Sequence, residues 1–569
     1  MERARRPWLA LAVLCLGTFA VLLDTTIVNV ALPSLITGLH ASLDQALWVV
    51  NAYLLVFAAL LILAGRLGDL FGPRRLFTAG LAVFALASAA CGAAASPGQL
   101  IVARIVQGIG AAALTPQAMV IIQQIFPREK MGAAFGVSFS MVGLAAVSGP
   151  ALGGVLTTYL SWRWVFYVNL PIAAAGIALA YLFVPEVRTV RRPRLDVVGV
   201  LAASAGLAAV SYGVIEGQRY SWGEVAHGVT IPEIIVAGAV LLAGFAAWER
   251  RHRDPLMPLG LFRSRTFTIM VVLSVVVQFA LQSMLLVNAV NLQSVLGFTA
   301  VRAGLTGLPL TVVMTALAPF AGRLTDRLGG KYVLMAGLMV YAAGIAGVTA
   351  AASVHATSLT FAPAMAVAGL GMGAIFAPLA TMGMSAAPPA LAGAASGVLN
   401  TGRQLGATLG GAISGAVLAT QLATGLHSRA LAAARTLPAG ARQPFVNGFT
   451  RAAHTGLQVG RGQAGARIPA DTPAALGPRL EQLAHDVFAG AYIAAMHPTL
   501  AISVALLIAG ALGCLLLRRP AGVVDAAPAP PRHRQAEKPL AVATASDRRR
   551  SCPDTMIRSN QAPPGSEEP

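Results

Sequence analysis

Apolar runs long enough to cross a lipid bilayer recur from one end of this sequence to the other, and they constrain the fold more than any other feature. A bilayer core of about 30 Å takes roughly 20 apolar residues of helix. Runs of that kind lie near 8–32, 46–63, 76–95, 100–125, 132–156, 165–183, 197–214, 231–248, 267–287, 303–320, 333–351, 359–382, 395–419 and 499–517, fourteen in all. Only 11% of the 569 residues are charged and 56% are apolar, whereas a soluble domain carries about 25% charged residues. That excludes soluble and disordered classes. In lipid each backbone N–H and C=O must be satisfied within the chain, so these runs are expected to be helices. The first run follows Arg3, Arg5 and Arg6 as a secretory leader would, but it continues to about Leu32 with no small-residue cleavage site. It reads as a span.

The formal charge of +19 would suggest nucleic acid in a soluble chain. Here its distribution points elsewhere. One set of short loops carries Arg3, Arg5, Arg6, Arg66, Arg74, Arg75, Arg128, Lys130, Arg188, Arg191, Arg192, Arg194, Arg250, Arg251, Arg253, Arg263, Arg265, Arg323, Arg327 and Lys331. The opposite short loops carry Arg163, Arg219 and Arg302. Positive loops stay inside, so both termini are expected in the cytoplasm and the chain in the cytoplasmic membrane as a multi-pass protein. The Ala/Gly-rich segment 421–496 is then an extracytoplasmic loop, with short amphipathic helices expected at 428–435 and 478–488. The Pro-, Ala- and Arg-rich tail 520–569 is expected to be disordered.

A repeat organises the spans. Gly65-Arg-Leu-Gly-Asp-Leu-Phe-Gly-Pro-Arg-Arg75 follows the second, and Gly322-Arg-Leu-Thr-Asp-Arg-Leu-Gly-Gly-Lys-Tyr332 follows the tenth. Gly, Arg, Leu, Asp and Gly coincide, and Arg74 matches Lys331. Repeated halves are a feature of transporters, with the substrate site near the midplane between them. Because the copies lie eight spans apart, two helices are expected between six-helix halves. The division is 1–190 for the first half, 191–262 for the inserted pair, 263–519 for the second half with its loop, and 520–569 for the tail.

These residues resemble motifs of the major facilitator superfamily. The loop after the second span is similar to motif A, Leu100-x3-Arg104-x2-Gln107-Gly108-x-Gly110 to motif B, and Ser148-Gly149-Pro150-x2-Gly153-Gly154 to motif C. Leu23-Asp24-Thr25-Thr26-Ile27-Val28-Asn29-Val30-Ala31-Leu32-Pro33 and Trp162-Arg163-Trp164-Val165-Phe166-Tyr167-Val168-Asn169 resemble signatures of the fourteen-span drug:proton antiporter branch, the EmrB/QacA type. The resemblance implies an all-α integral membrane protein with the major facilitator fold and two inserted helices. It also implies proton-driven efflux of hydrophobic or amphiphilic drugs or antibiotics by alternating access. Proton symport of a metabolite and export of a single natural product stay open as alternatives.

Asp24 is the only carboxylate deep in a span. A charge at the bilayer centre costs roughly 2.5–3.5 kcal/mol on insertion scales, which suits a group that loads and releases a proton; a helix-packing acid is the alternative. Arg104 cannot shed its charge, so it must face a cavity or an acid. It is a second proton-coupling candidate, favouring deprotonation of Asp24 or of another acid, or it clamps helices. For gating, the resemblance implicates Asp69 with Arg66, Arg74 and Arg75, the acid closing the cytoplasmic side through charge pairs and a helix N-terminus. Asp326, its counterpart in the second copy, has fewer basic neighbours. Pro150 removes a helix hydrogen bond, and Gly149, Gly153 and Gly154 would admit a neighbouring helix at a rocking interface. Substrate-binding candidates are Gln278, Gln282, Asn51, Tyr53, Asn400 and Arg403, polar positions that interhelical packing explains nearly as well.

There is no nucleotide-binding P-loop and no Ser–His–Asp pattern, and Cys15, Cys91, Cys514 and Cys552 lack metal-ligand spacing. The chain is expected not to be an enzyme and to need no metal or cofactor, with the proton gradient as its energy source. The expected partners are a small amphiphilic molecule, protons and the lipid bilayer, without nucleic acid. A monomer is expected, and an adaptor protein is compatible with this reading. With Arg104 and Arg403 in spans, neutral, zwitterionic or anionic amphiphiles are expected at least as readily as dications.

Overall fold

Proline and glycine punctuate the helices. The computed structural model describes residues 6–186, 196–217, 220, 222–226, 228–251, 259–454 and 477–517. Arg3, Arg5, Arg188, Arg191, Arg192, Arg194, Arg219, Arg253, Cys552, the centre of the 421–496 segment and the tail 520–569 lie outside the described residues. Helix α1 (Pro7–Leu39) opens on proline, whose missing N–H costs nothing in a first turn. A capping box opens α2 (Leu43–Phe71): the Gln45 N–H donates to Ser42 Oγ at 3.2 Å and the Ser42 N–H to Gln45 Oε1 at 3.0 Å. Gly72, at φ 95°, then turns the chain into α3 (Pro73–Ala93). Gly329, at φ 85°, does the same between α12 (Leu308–Leu328) and α13 (Gly330–Ala351). The repeated glycine is therefore a backbone requirement in both copies, since other residues rarely adopt this conformation.

The remaining helices are α4 (Pro97–Ile125), α5 (Arg128–Tyr159), the short α6 (Trp164–Tyr167), α7 (Asn169–Phe183), α8 (Val197–Glu216), α9 (Ile231–Glu249), α10 (Arg265–Val290), α11 (Ala300–Thr306), α14 (Ser358–Ser385), α15 (Ala392–Ala434), α16 (Ala439–His454) and α17 (Gly477–Gly513). A π-helical turn, Asn291–Val295, prolongs α10. Two short strands, β1 (Glu224–Ala226) and β2 (Val229–Thr230), pair antiparallel between α8 and α9. Among the described residues thirteen helices are long and apolar enough to cross a membrane. The expected seventh span falls in α8, whose apolar stretch Val198–Val214 is shorter.

In the first half α1 packs on α5 and α7, α3 on α4 and α7, and α2 on α4. In the second half α10 packs on α15 and α17, α12 on α14, and α13 on α14 and α17. The inserted helices α8 and α9 pack on each other, and α8 leans on α2 and α15. The two halves meet chiefly where α2 meets α15 and α5 meets α12.

Two expectations are corrected. The helices expected at 428–435 and 478–488 are not separate: the first continues α15, which runs 43 residues to Ala434, and the second is the opening of α17. On the other side α17 begins at Gly477, well before the expected 499, and runs through Pro498. Small residues explain the long pairing, because Gly425 lies against Ala491 with little between the backbones.

Glycine also sets the separation of α3 and α4. A Cβ at Gly110 would lie 2.5 Å from the Phe84 backbone nitrogen and 2.8 Å from the Gly80 carbonyl oxygen. Gly110→Val is expected to destabilise the protein by about 1–3 kcal/mol, as overpacking does. Gly244→Val, where a Cβ meets nothing within 4 Å, should not. Thermal unfolding in detergent compares them directly.

Candidate transport site

The first half is cross-linked by one buried ion pair. Asp24, inside α1, and Arg104, inside α4, are both essentially inaccessible to solvent. Arg104 Nη1 donates to Asp24 Oδ2 at 2.5 Å. Gln107 Nε2 and Asn169 Nδ2 donate to Asp24 Oδ1 at 2.8 and 3.1 Å. The guanidinium also donates from Nε to the Val49 carbonyl at 3.0 Å and from Nη1 to Gln107 Oε1 at 2.7 Å. Its carbon stands 4.2 Å from the centre of the Tyr53 ring. Asn169 Nδ2 further donates to Ser88 Oγ at 3.2 Å, and Ser88 to the Phe166 carbonyl at 2.8 Å. Helices α1, α2, α3, α4 and α7 thus share one polar network.

The chemistry follows from that arrangement. The carboxylate accepts three donors, one of them charged, which is how a buried charge is made tolerable. A proton on Asp24 would remove the negative charge and part of its acceptor capacity. Arg104 would then be a buried cation held only by carbonyls and a ring. A proton there would therefore act on a contact that joins α1 to α4.

At the end of the bundle that carries the repeat loops, hereafter the basic end, the two copies act reciprocally. Asp69, at the end of α2, accepts from the Gly393 and Ala394 N–H groups of α15 at 2.9 and 3.2 Å. Asp326, at the end of α12, accepts from the Gly132 and Ala133 N–H groups of α5 at 2.7 and 2.9 Å. Asp69 caps the first turn of α15, where free N–H groups and the helix dipole favour an anion, and Asp326 meets N–H groups in the second turn of α5. Glycine makes the approach possible: a Cβ at Gly65 would overlap the Gly393 carbonyl, and one at Gly322 the Gly132 carbonyl. Asp326 therefore makes the same contacts as Asp69, although its sequence surroundings are less basic.

Two of the arginines expected beside Asp69 go elsewhere. Arg75 pairs with Glu186 at 2.5 Å, and Arg74 donates to the Tyr181 carbonyl at 3.3 Å and lies 5.1 Å from the Tyr181 ring centre. The turn at Gly72 puts both on α3, which packs on α7, so they point away from α15. Arg66 is buried on α2 one turn before Asp69. Motif C is not at the contact between halves either. A Cβ at Gly149 would overlap Thr26, and one at Gly153 would sit 3.0 Å from Ile27, so these glycines seat α5 on α1 just beyond Asp24. A Cβ at Gly154 would meet nothing within 4 Å, and Pro150 is exposed within an unbroken α5.

The substrate candidates scatter. Asn51 Nδ2 reaches Glu216 Oε1 of the inserted helix α8 at 3.5 Å, so it faces that helix. Tyr53 is buried under Arg104. Asn400 Nδ2 donates to the Ser396 carbonyl at 3.0 Å and lies 3.3 Å from Met119 Sδ, so it bridges the halves. Gln278 is half-buried, its Oε1 without a partner, while Gln282 is exposed. Arg403 is half-buried, with its guanidinium carbon 5.2 Å from the ring centres of both Phe139 and Phe376. Sequence reasoning did not single out Gln107, Ser88, Asn169, Phe139 or Phe376 as site residues. Gln107 was signalled, one helical turn beyond Arg104 on the same face.

Comparison with known proteins identifies the family and the fold. Residues 14–411 match the model of the Major Facilitator Superfamily. The Tetracenomycin C resistance and export protein of Streptomyces glaucescens is 34% identical over 405 residues, 70% of this chain and 74% of that protein. The Puromycin resistance protein pur8 of Streptomyces alboniger is 37% identical over 408 residues, 70% of this chain and 80% of that protein. Among solved structures, the proton:xylose symporter XylE shares the fold, with a TM-score of 0.52 at 16% identity over 71% of this chain and 87% of that one.

Proposed function

Because this chain belongs to the Major Facilitator Superfamily, whose members are transporters and not enzymes, we propose that it exports hydrophobic or amphiphilic drugs or antibiotics in exchange for protons. The export and resistance roles in its relatives' names support the direction of transport. The buried Asp24–Arg104 contact carries the coupling. In this reading the fourteen-span antiporter branch is the right one, with α8 as the additional span. Residues 1–190 and 263–519 are the rocking halves and 191–262 the insert. The basic end is cytoplasmic, by the distribution of arginine in the short loops. The likeness to a symporter concerns the fold alone.

The cycle uses the two polar sites in turn. With Asp69 and Asp326 seated on α15 and α5, the cytoplasmic side is closed and the path opens outward. A proton entering from outside neutralises Asp24 and loosens α1 from α4. The gate carboxylates then leave their helix ends, the halves rock, and the cytoplasmic side opens. Substrate taken up there displaces the proton to the cytoplasm, Asp24 re-forms its contact with Arg104, and the gate closes behind the substrate. Inside-out vesicles with an imposed proton gradient and a pH-reporting dye test this. A compound from a drug panel should collapse the gradient in vesicles carrying the protein and not in vesicles without it. If no compound does so, proton-coupled export is refuted.

A further inference from the structure

We propose that Arg403 is the counter-charge for an anionic group on an aromatic substrate, and that Phe139 and Phe376 form the wall beside it. The inference rests on the export reading above and adds the substrate's chemical class. Arg104 and Arg403 lie well inside helices of the first and second halves, and their surroundings differ. Arg104 has a carboxylate at 2.5 Å. Arg403 forms no ion pair with a carboxylate of the described residues. Its Nε is shut off from solvent and has no hydrogen-bond partner.

Arginine does not shed its proton, so the positive charge stays in place. An unneutralised charge inside a membrane protein faces a cavity or a functional partner. What Arg403 does have is two rings, Phe139 of α5 and Phe376 of α14, stacked on each other at 5.1 Å and 16°. Ring faces hold a guanidinium by a cation–π contact while leaving its N–H groups free to donate. A carboxylate or sulfonate would take two of those donors in a fork, the geometry arginine favours. The same rings offer flat apolar surface to the rest of an aromatic molecule.

Position makes the site consequential. Arg403 and Phe376 belong to the second half and Phe139 to the first, so a ligand there touches both. Asn400, one turn before Arg403, already bridges to Met119 of the first half. An anion between these elements would alter the contact that must break when the halves rock. A lipophilic cation would meet the like charge of Arg403 and be disfavoured.

The test uses full-length protein in lipid nanodiscs, without any proton gradient. Tritiated 1-naphthaleneacetate is the probe, competed by the unlabelled acid or by 1-naphthaleneacetamide, the neutral analogue of the same shape. Wild type should bind the acid at least about tenfold more tightly than the amide, the scale of one charge-assisted contact. Arg403→Gln should remove that preference by weakening the acid alone, Arg403→Lys should keep only part of it because an ammonium cannot form the fork, and Phe139→Leu should weaken both. Equal affinity for acid and amide in wild type, absence of binding by either, or equal losses of both in Arg403→Gln would each overturn the proposal. The preference should also persist in Asp24→Asn. A protein that keeps it yet never discharges a gradient would refute antiport while leaving this assignment standing.

Discussion

Vesicles carrying Asp24→Asn should show no drug-dependent discharge of a proton gradient, while the protein itself remains folded and able to bind substrate. Asparagine matches the shape of aspartate, so its carbonyl oxygen can still accept from Arg104 or Gln107. It cannot exchange a proton in the physiological range, and it carries no charge to balance Arg104. The transport signal should fall to that of empty vesicles. Thermal stability should fall as well, because the amide keeps one acceptor oxygen where the carboxylate offered two to three donors, and Arg104 loses its counter-charge. Arg104→Met is the contrasting case. It strands the Asp24 carboxylate in a buried site, and breaking a buried pair in this way costs about 3–5 kcal/mol. That variant should be both inactive and markedly unstable. If Asp24→Asn discharges the gradient as wild type does, the proton travels through another group and Asp24 serves only to hold α1 against α4.

Asp69→Asn should open the basic end. The wild-type carboxylate accepts one N–H on each oxygen, from Gly393 and Ala394. A carboxamide has one acceptor oxygen, so one N–H loses its partner and the other its charge. Hydrogen bonds to charged groups are worth about 1.5–3 kcal/mol, and each 1.4 kcal/mol shifts a two-state population about tenfold. Asp326→Asn should act in the same direction through Gly132 and Ala133. The double variant should then populate the opened form strongly. Spin labels at Phe71→Cys and Ala390→Cys, both exposed on either side of this contact, would report it as a longer distance component that grows from wild type through each single variant to the double. An unchanged distance distribution in the double variant would show that backbone packing at Gly65 and Gly322 holds the end shut without the carboxylates.

Much of the fold follows from local chemistry legible along the chain. Apolar runs mark helices because lipid leaves the backbone no other partner. The repeated Gly–Arg–Leu–x–Asp–x–x–Gly marks two equivalent turns because each needs a residue at positive φ, and Gly72 and Gly329 supply it. Asp24 and Arg104 stand out one by one because charge in a span requires a reason. Segment 428–435 was harder to read. Ala-rich, weakly amphipathic sequence suits a short surface helix or the extension of a long one, and periodicity does not distinguish them.

Pairing is where reading along the chain gives out. Asp24 and Arg104 are 80 residues apart, and Asp69 and Gly393 are 324 apart; no spacing rule joins residues on different helices. Basic neighbours in the sequence made Arg74 and Arg75 look like partners for Asp69, yet one glycine turn sends them to Tyr181 of α7 and to Glu186 just beyond it. For Asp326 the same cue pointed the other way, because its partners are backbone N–H groups, which every sequence possesses and none advertises. The chain by itself determined helical class, duplication and the identity of the buried charges, since these depend on what lipid and backbone geometry allow locally. Tertiary structure alone decided which charge meets which, because a folded contact depends on the relative placement of whole helices, and it left Arg104 neutralised and Arg403 facing aromatic rings.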